Sequence, residues 1–268
     1  MNQRITPKAC IEMGIVACFL VFFFVPILNL AIWAITERWQ YPSIIPQQFS
    51  FAWWVWVFNQ TNLVRPIRLS FEFAFIVTII STLICIPAAY AFARAEFPLK
   101  QILYLLYLLP NAFPMIGLYA TVAVLFYRIN MMGTFIGVVF VQMIQTLMFM
   151  VWVPTASFKS VSPTLEDAAR DVGASQLQTF WRVTLPLALP GIIVGIIFSF
   201  LSSLDEAQGT LIVGIPKYIT MPVQMYSLVT DYPGPVGGVF SVLLTAPSII
   251  LLLYLRRFLK SNFLSKMY

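Results

Sequence analysis

Long apolar runs alternate with short polar breaks along the whole chain. Six runs stand out, at roughly 11–36, 69–93, 102–127, 133–155, 185–205 and 237–259. Each is close to the ~20 mostly apolar residues that a helix needs to cross a bilayer core. The breaks carry the opposite chemistry. "ARAEFPLKQ" (93–101) holds Arg94, Glu96, Pro98 and Lys100, and "YRINMMG" (127–133) is a short polar turn. Residues 206–236 hold Gly209, Gly214, Pro216, Pro222, Pro233, Gly234 and Pro235, too many breakers for one continuous helix. The pattern predicts an all-α integral membrane protein with six transmembrane helices in a single domain over 1–268. Its first run, "IEMGIVACFLVFFFVPILNLAIWAI", exceeds the roughly 7–15 apolar residues of a signal peptide. We expect a retained helix that also directs insertion.

Composition agrees. The chain is 60% hydrophobic and 10% charged, against about 25% charged in soluble domains. The net charge of +6 does not point to nucleic acid, because the basic residues are scattered at the ends of apolar runs. Lys and Arg favour the cytoplasmic side of membrane proteins. With the N-terminus inside, eleven fall on the cytoplasmic side: Arg4, Lys8, Arg94, Lys100, Lys159, Arg170, Arg182, Arg256, Arg257, Lys260 and Lys266. Five fall outside: Arg38, Arg65, Arg68, Arg128 and Lys217. The bias predicts both termini in the cytoplasm and extracytoplasmic loops at 37–68 and 206–236. Histidine is absent, which removes imidazole base chemistry and the commonest metal ligand. Cys10, Cys18 and Cys85 show no metal or disulfide spacing. In the outer segment "FAWWVWVF" (51–58), Trp53, Trp54 and Trp56 suit an interfacial helix, with ligand stacking as the other reading.

One cytoplasmic stretch, 156–184, is charged out of proportion to its surroundings. In "KSVSPTLEDAARDVGASQLQTFWRVTLP" Ser162 suits a helix N-cap and Pro163 a first helical position. Glu166 and Asp167 follow early in the helix, where its dipole favours anions. Leu165, Ala168, Ala169 and Val172 fall on one face. Gly173 suits the stop and Ser175 a second cap. A solvated connecting loop explains the charge. A small-residue face beside a glycine stop also suits docking into a partner's groove.

Asp167-Ala168-Ala169, Gly173 and, after nine intervening residues, Val183-Thr184-Leu185-Pro186 resemble the EAA loop, E-A-A-x(3)-G-x(9)-I-x-L-P, of type I ABC importer permeases. Asp stands for Glu at 167, with Glu166 just before it, and Val for Ile at 183. "RLSFEFAFIVTIISTLICIPAAYAFARAEF" (68–97) is similar to the start of that family's core, with Leu69 in place of its Asn. The resemblance covers 69–260 closely. It implies a permease subunit of the bacterial cytoplasmic membrane that lines half of a translocation path. Glu166, Asp167, Ala168, Ala169, Gly173, Leu185 and Pro186 would dock a dimer of ABC ATPases, which would carry the ATP and Mg. A second, homologous permease forming a heterodimer, with a homodimer as the alternative, and an extracytoplasmic substrate-binding protein are the other implied partners, besides the lipid bilayer. No catalytic, cofactor-binding or metal-binding residue is expected in this chain. It has no G-x(4)-G-K-[ST] loop, so ATP hydrolysis would come from the partner. The rival of another class is a stand-alone carrier or channel, which usually shows paired repeats; none is visible.

For cargo, "SFLSSLDEAQGTLIVGIPKYITMPVQMYSLV" (199–229), ending in Pro222-x-x-x-Tyr226, is similar to permeases for spermidine and putrescine, 2-aminoethylphosphonate, thiamine and ferric iron. A sugar or polyol is the alternative. Asp205 and Glu206 lie about 20 residues after Pro186, near the opposite membrane face at ~1.5 Å per residue. They either meet cargo or a gate, or sit among headgroups or cap the segment after 209. Glu72, with Arg68 four residues before it, is a further path candidate. Asn111, between Pro110 and Pro114, marks either a broken helix lining a cavity or a simple kink.

Overall fold

The computed structural model describes residues 7–40 and 42–264, with side chains described over 12–40 and 42–256. The side chains of Lys8, Cys10, Arg257 and Lys260, and all of Arg4 and Lys266, lie outside the described set. In chain order the elements are α1 (Pro7–Ala34), β1 (Thr36–Arg38), β2 (Gln48–Phe49), α2 (Ala52–Asn59), α3 (Thr61–Arg94), α4 (Lys100–Leu108), α5 (Met115–Arg128), α6 (Phe135–Ser160), α7 (Pro163–Asp171), α8 (Gln176–Thr179), α9 (Leu185–Leu204), α10 (Gln208–Val213), α11 (Met221–Asp231) and α12 (Gly234–Leu264).

Among the described residues, five helical stretches are long and apolar enough to span a membrane: α1, α3, α6, the continuous Gln176–Leu204 and α12. The sixth expected span is not one helix. Its two arms, Lys100–Ala112 and Met115–Arg128, meet at 105°. Proline explains the break. After α4 the chain tightens into a 3₁₀ turn at Leu109–Ala112, and Phe113 is extended (φ −97°, ψ 153°) ahead of Pro114, as a residue before proline prefers.

Two other boundaries differ from expectation. The 37–68 segment is not only loop: it folds as the β1–β2 hairpin and α2, and α3 begins at Thr61, eight residues before the expected start. The 156–184 segment is shorter as a loop than expected, because α6 runs to Ser160 and the helix leading into α9 begins at Gln176.

The chain divides into two compact units. One holds the chain up to Thr61 with Met225–Thr245; the other holds Asn62–Gln224 with the chain from Ala246. In the first unit α1 buries nothing in its most apolar window, as suits a helix solvated by lipid. Its end is fastened by aromatic residues. Trp33 stacks on Trp39 at 4.7 Å, and Trp54 Nε1 donates to Ala34 O at 2.7 Å. The tryptophans of α2 thus brace the hairpin, and Trp56 meets Tyr232 edge-on.

In the second unit α3, α6 and α9 form the core. Phe73 and Val77 pack on Val138, Val139 and Met143 at one end, and Ala89 on Phe158, Ala188 and Ile192 at the other. Lipid is as apolar as leucine, so close packing and hydrogen bonds must hold such helices together. Ser81 and Thr146 share a hydroxyl bond at 3.0 Å, and Ser157 Oγ donates to Ala188 O at 2.8 Å. Gly191 lets α9 lie against Ser157, which a Cβ at 191 would strike. Gly191→Val should therefore cost about 1–3 kcal/mol, seen as a lower thermal midpoint in detergent. Gly117→Ala, where a Cβ meets open space, should leave the midpoint unchanged or raise it. Equal effects would mean that α6 and α9 do not need this approach.

Candidate functional site

The sequence around α7 builds a short helix with two firm ends. Ser162 has N-cap geometry and Pro163 opens the helix, but the Ser162 hydroxyl bonds Thr164 Oγ1 at 2.7 Å rather than capping a backbone N–H. The other end closes through Gly173 (φ 92°), whose N–H donates to Arg170 O at 2.9 Å while Ala174 N–H donates to Ala169 O at 3.0 Å. This paired closure needs a left-handed residue, which glycine supplies without strain. Ser175 then starts the next helix. Its Oγ accepts from Gln178 N–H at 3.3 Å and its N–H donates to Gln178 Oε1 at 2.9 Å, a full capping box. From there the helix continues through a wide π turn at Phe180–Thr184 into α9. Pro186, which has no N–H to give to Arg182 O, sits just after that turn. α7 is thereby joined to a membrane helix across a short, capped turn.

One carboxylate holds this arrangement. Glu166 is 3% exposed. Its Oε1 accepts from Arg94 Nε at 3.0 Å, from Arg94 Nη2 at 2.8 Å and from Thr184 Oγ1 at 2.9 Å. Arg94 Nη2 also donates to Val161 O at 2.7 Å. The cluster therefore ties the end of α3, the end of α6, α7 and the entry to α9. Behind it Phe180 packs on Tyr90 at 4.8 Å. Arg170 stands 3.8 Å from Glu166 Oε2 and 3.6 Å from Asp167 Oδ1.

The expected docking residues thus part into two sets. Asp167, Ala168, Gly173 and Pro186 are exposed, along with Leu165 and Val172. Glu166 faces inward, Ala169 is half-buried, and Leu185 is half-buried against the Ala89–Phe158 cluster. Sequence reasoning missed Arg94 and Thr184. Arg94 ends the stretch "IPAAYAFAR" (86–94), and Thr184 is a variable position of the motif, so neither carried a signal of pairing with Glu166.

At the far end of α9, Glu206 is also 3% exposed and caps α10. Its Oε2 accepts from Thr210 N–H at 3.0 Å and Thr210 Oγ1 at 2.6 Å, and its Oε1 accepts from Gly209 N–H. Thr210 Oγ1 accepts from Gln142 Nε2 at 3.0 Å, and Gln142 Oε1 accepts from Ser203 Oγ at 2.7 Å. A side chain at Gly209 would run into Val141 and Tyr119. Burial pushes the Glu206 carboxyl above the usual range, and the bonds from Thr210 and Gly209 pull it partly back. Of the two readings of this acidic pair, the capping one describes Glu206. Asp205 is exposed. Glu72 and Arg68 are both exposed on α3 and form no ion pair among the described residues. Asn111 lies in the 3₁₀ turn of the bend, its Nδ2 buried without a hydrogen-bond partner. These candidates stay separate from the α7 cluster in sequence and in bonding.

Residues 81–264 match the family model described as "Binding-protein-dependent transport system inner membrane component". The chain belongs to this family. The match runs from the middle of α3 through α7 to the end of α12. The permease is 25% identical over 259 residues to the putative 2-aminoethylphosphonate transport system permease protein PhnV of Salmonella typhi, covering 95% of this chain and 97% of that one. It is 27% identical to the trehalose transport system permease protein SugB of Mycobacterium tuberculosis, covering 80% of each chain. It is 25% identical to the spermidine/putrescine transport system permease protein PotC of Escherichia coli, covering 77% and 78%. Its fold matches a chain of a bacterial ABC transporter involved in the import of the acidic polysaccharide alginate, with a TM-score of 0.71 at 16% identity over 96% of this chain and 98% of that one. The permease is thus a multi-pass inner-membrane subunit of an ABC importer, of a family whose members are non-catalytic.

Two outcomes follow from the two buried carboxylates. Glu166→Ala strands the Arg94 guanidinium and should cost roughly 3 kcal/mol. Arg94→Met with Glu166→Met should cost clearly less than the two single changes summed. Thermal unfolding in detergent reads both, and strictly additive losses would show the pair to be uncoupled. A carboxyl raised in the folded state favours folding below its unfolded pKa and loses that advantage as pH rises through the raised value. The thermal midpoint should therefore fall as pH climbs out of the ordinary carboxylate range, and Glu206→Gln should flatten that slope.

Proposed function

We propose that α7 is the coupling helix through which a dimer of partner ABC ATPases, holding ATP and Mg, drives this permease. One observation carries the reading: Glu166 latches the inner side of α7 to α3, α6 and α9, while Leu165, Asp167, Ala168 and Val172 remain exposed on the other side. A push on that exposed side is passed through a charge-assisted cluster and a capped turn to three membrane helices. Rigid-body switching of such helices between two states exposes a path alternately to either side. Asp167, Ala168 and Gly173 then meet the ATPase, while Glu166 and Leu185 hold the docking helix from behind.

In this reading α7 and both termini face the cytoplasm, supported by the eleven-to-five bias of basic residues. The segments around α2 and α10 face outward, toward an extracytoplasmic binding protein. A second, homologous permease supplies the other half of the path. The cargo is a small polar solute of the polyamine or aminophosphonate class, supported by the PhnV and PotC relatives. The trehalose relative favours the alternative, a sugar or polyol. Asp205, Glu72 and Asn111 are the path residues to test against cargo. Glu206, the fourth candidate, caps α10.

Tagged permease extracted from its native membrane in mild detergent should bring down an ATPase. Leu165→Asp with Val172→Asp should weaken that retention roughly tenfold or more, as charge placed in a central apolar contact does, without loss of membrane insertion. Gly173→Pro, which cannot adopt a φ of 92°, should insert but uncouple uptake. A chain that purifies alone and conducts solute in liposomes without ATP would overturn the coupling assignment.

A further inference from the structure

A second charged feature lies on the same side of the permease as α7 and takes no part in the Glu166 cluster. A cavity of about 530 Å³ opens between the start of α4 and the end of α6. Lys100, Gln101 and Lys159 line it together with Glu96, Leu99 and Ile102. Its two lysines are only weakly neutralised. Lys100 Nζ is 3.2 Å from Glu96 Oε1, but that carboxylate is 91% exposed, so water screens the pair. Lys159 has no carboxylate within 4.0 Å among the described residues, and its Nζ sits 5.8 Å over the Tyr104 ring. The ring holds the ammonium at the cavity without cancelling its charge.

The second observation is what continues from the cavity. Leu99, at a left-handed φ of 62°, exposes its side chain on the rim. Along α4, Ile102, Leu103, Leu105 and Leu106 are all exposed, while Tyr104 and Tyr107 pack inward on Phe92. At ~1.5 Å per residue this strip runs about 13 Å from Lys100 to Leu108. A cationic polar cavity that gives onto an exposed apolar strip is shaped for an amphiphile. A small free anion would use the cavity and leave the strip unused.

We propose that this cavity binds the headgroup of an anionic phospholipid, with its acyl chain along the exposed side of α4. Lys100 and Lys159 meet the phosphate, and Gln101 offers a polar contact beside it. Ordinary snorkelling of lysine to the interface also attracts anionic lipid by charge, but it would not single out Lys100 and Lys159 over an exposed lysine elsewhere, such as Lys217. The site depends on the chain being membrane-embedded and not on the coupling or cargo assignments, so it stands or falls separately from them.

The test is native mass spectrometry of delipidated, full-length permease, with any partners that accompany it, titrated with dioleoyl phosphatidylglycerol or dioleoyl phosphatidylcholine. The phosphatidylglycerol adduct should form at least about tenfold more readily. Each of Lys100→Gln and Lys159→Gln should weaken it about fivefold, and the double change about thirtyfold, as expected when basic groups near an anionic headgroup are removed. Lys159→Arg should retain it, and Lys217→Gln should leave it unchanged. Should the double variant not fold, the single variants carry the comparison. Equal binding of the two lipids, or indifference to Lys100 and Lys159, would sink the proposal. Full displacement of phosphatidylglycerol by millimolar inorganic phosphate would make this a small-anion site and overturn the lipid assignment.

Discussion

A buried carboxylate must be paired, and much of the organisation around α7 follows from how Glu166 meets that demand. Left alone in a protein interior, an ionised carboxylate is far costlier than a folded domain tolerates. Here a guanidinium and a hydroxyl bond one of its oxygens. The partners come from the end of α3 and the entry to α9, and Arg94 reaches on to the carbonyl that follows α6. The need to satisfy one charge therefore draws four chain segments into register. A buried ion pair is weak evidence of net stability. Its stronger contribution is geometric, because α7 has one seat in which the charge is satisfied.

The chain places a second such carboxylate at the other end of α9, with a different solution. Among the described residues Glu206 has no cation paired with it. It draws on the amide N–H groups of Gly209 and Thr210 and on a hydroxyl, and through Thr210 it is linked to Gln142 and Ser203. One helix thus carries a polar fastening at each end, with apolar contacts and small residues between. This division suits a membrane protein. Lipid gives helices no hydrophobic reason to associate, so the polar bonds and close approaches of α6 and α9 do that work.

Prolines shape the remainder. Pro110 and Pro114 turn one expected span into two arms at 105°. Pro186 adjoins the π turn that carries the loop into α9. At each place a missing N–H forces the backbone out of its ordinary ladder. The irregularities lie at the bend holding Asn111 and at the junction next to the proposed coupling helix, where a membrane helix has to change direction or stiffness.

Much of this was legible along the chain, because apolar length and charge placement are one-dimensional signals. The spans, the helix that starts at Pro163, the glycine stop at 173 and the Ser175 cap all depend on residues within a few positions of one another. The family resemblance was likewise carried by local spacing. Three things required the folded molecule. That Glu166 turns inward while Asp167 turns out depends on Arg94, which stands 72 positions away. That Glu206 caps and Asp205 does not depends on the turn between α9 and α10, which sets one side chain inside and its neighbour outside. The bend at 109–114 needed the packing of both arms, since two prolines alone permit a kink as readily as a corner. Local pattern determines which segments are helical and which are greasy. Only tertiary contacts decide which of two adjacent charges is buried, because that choice rests on partners the chain brings from far away.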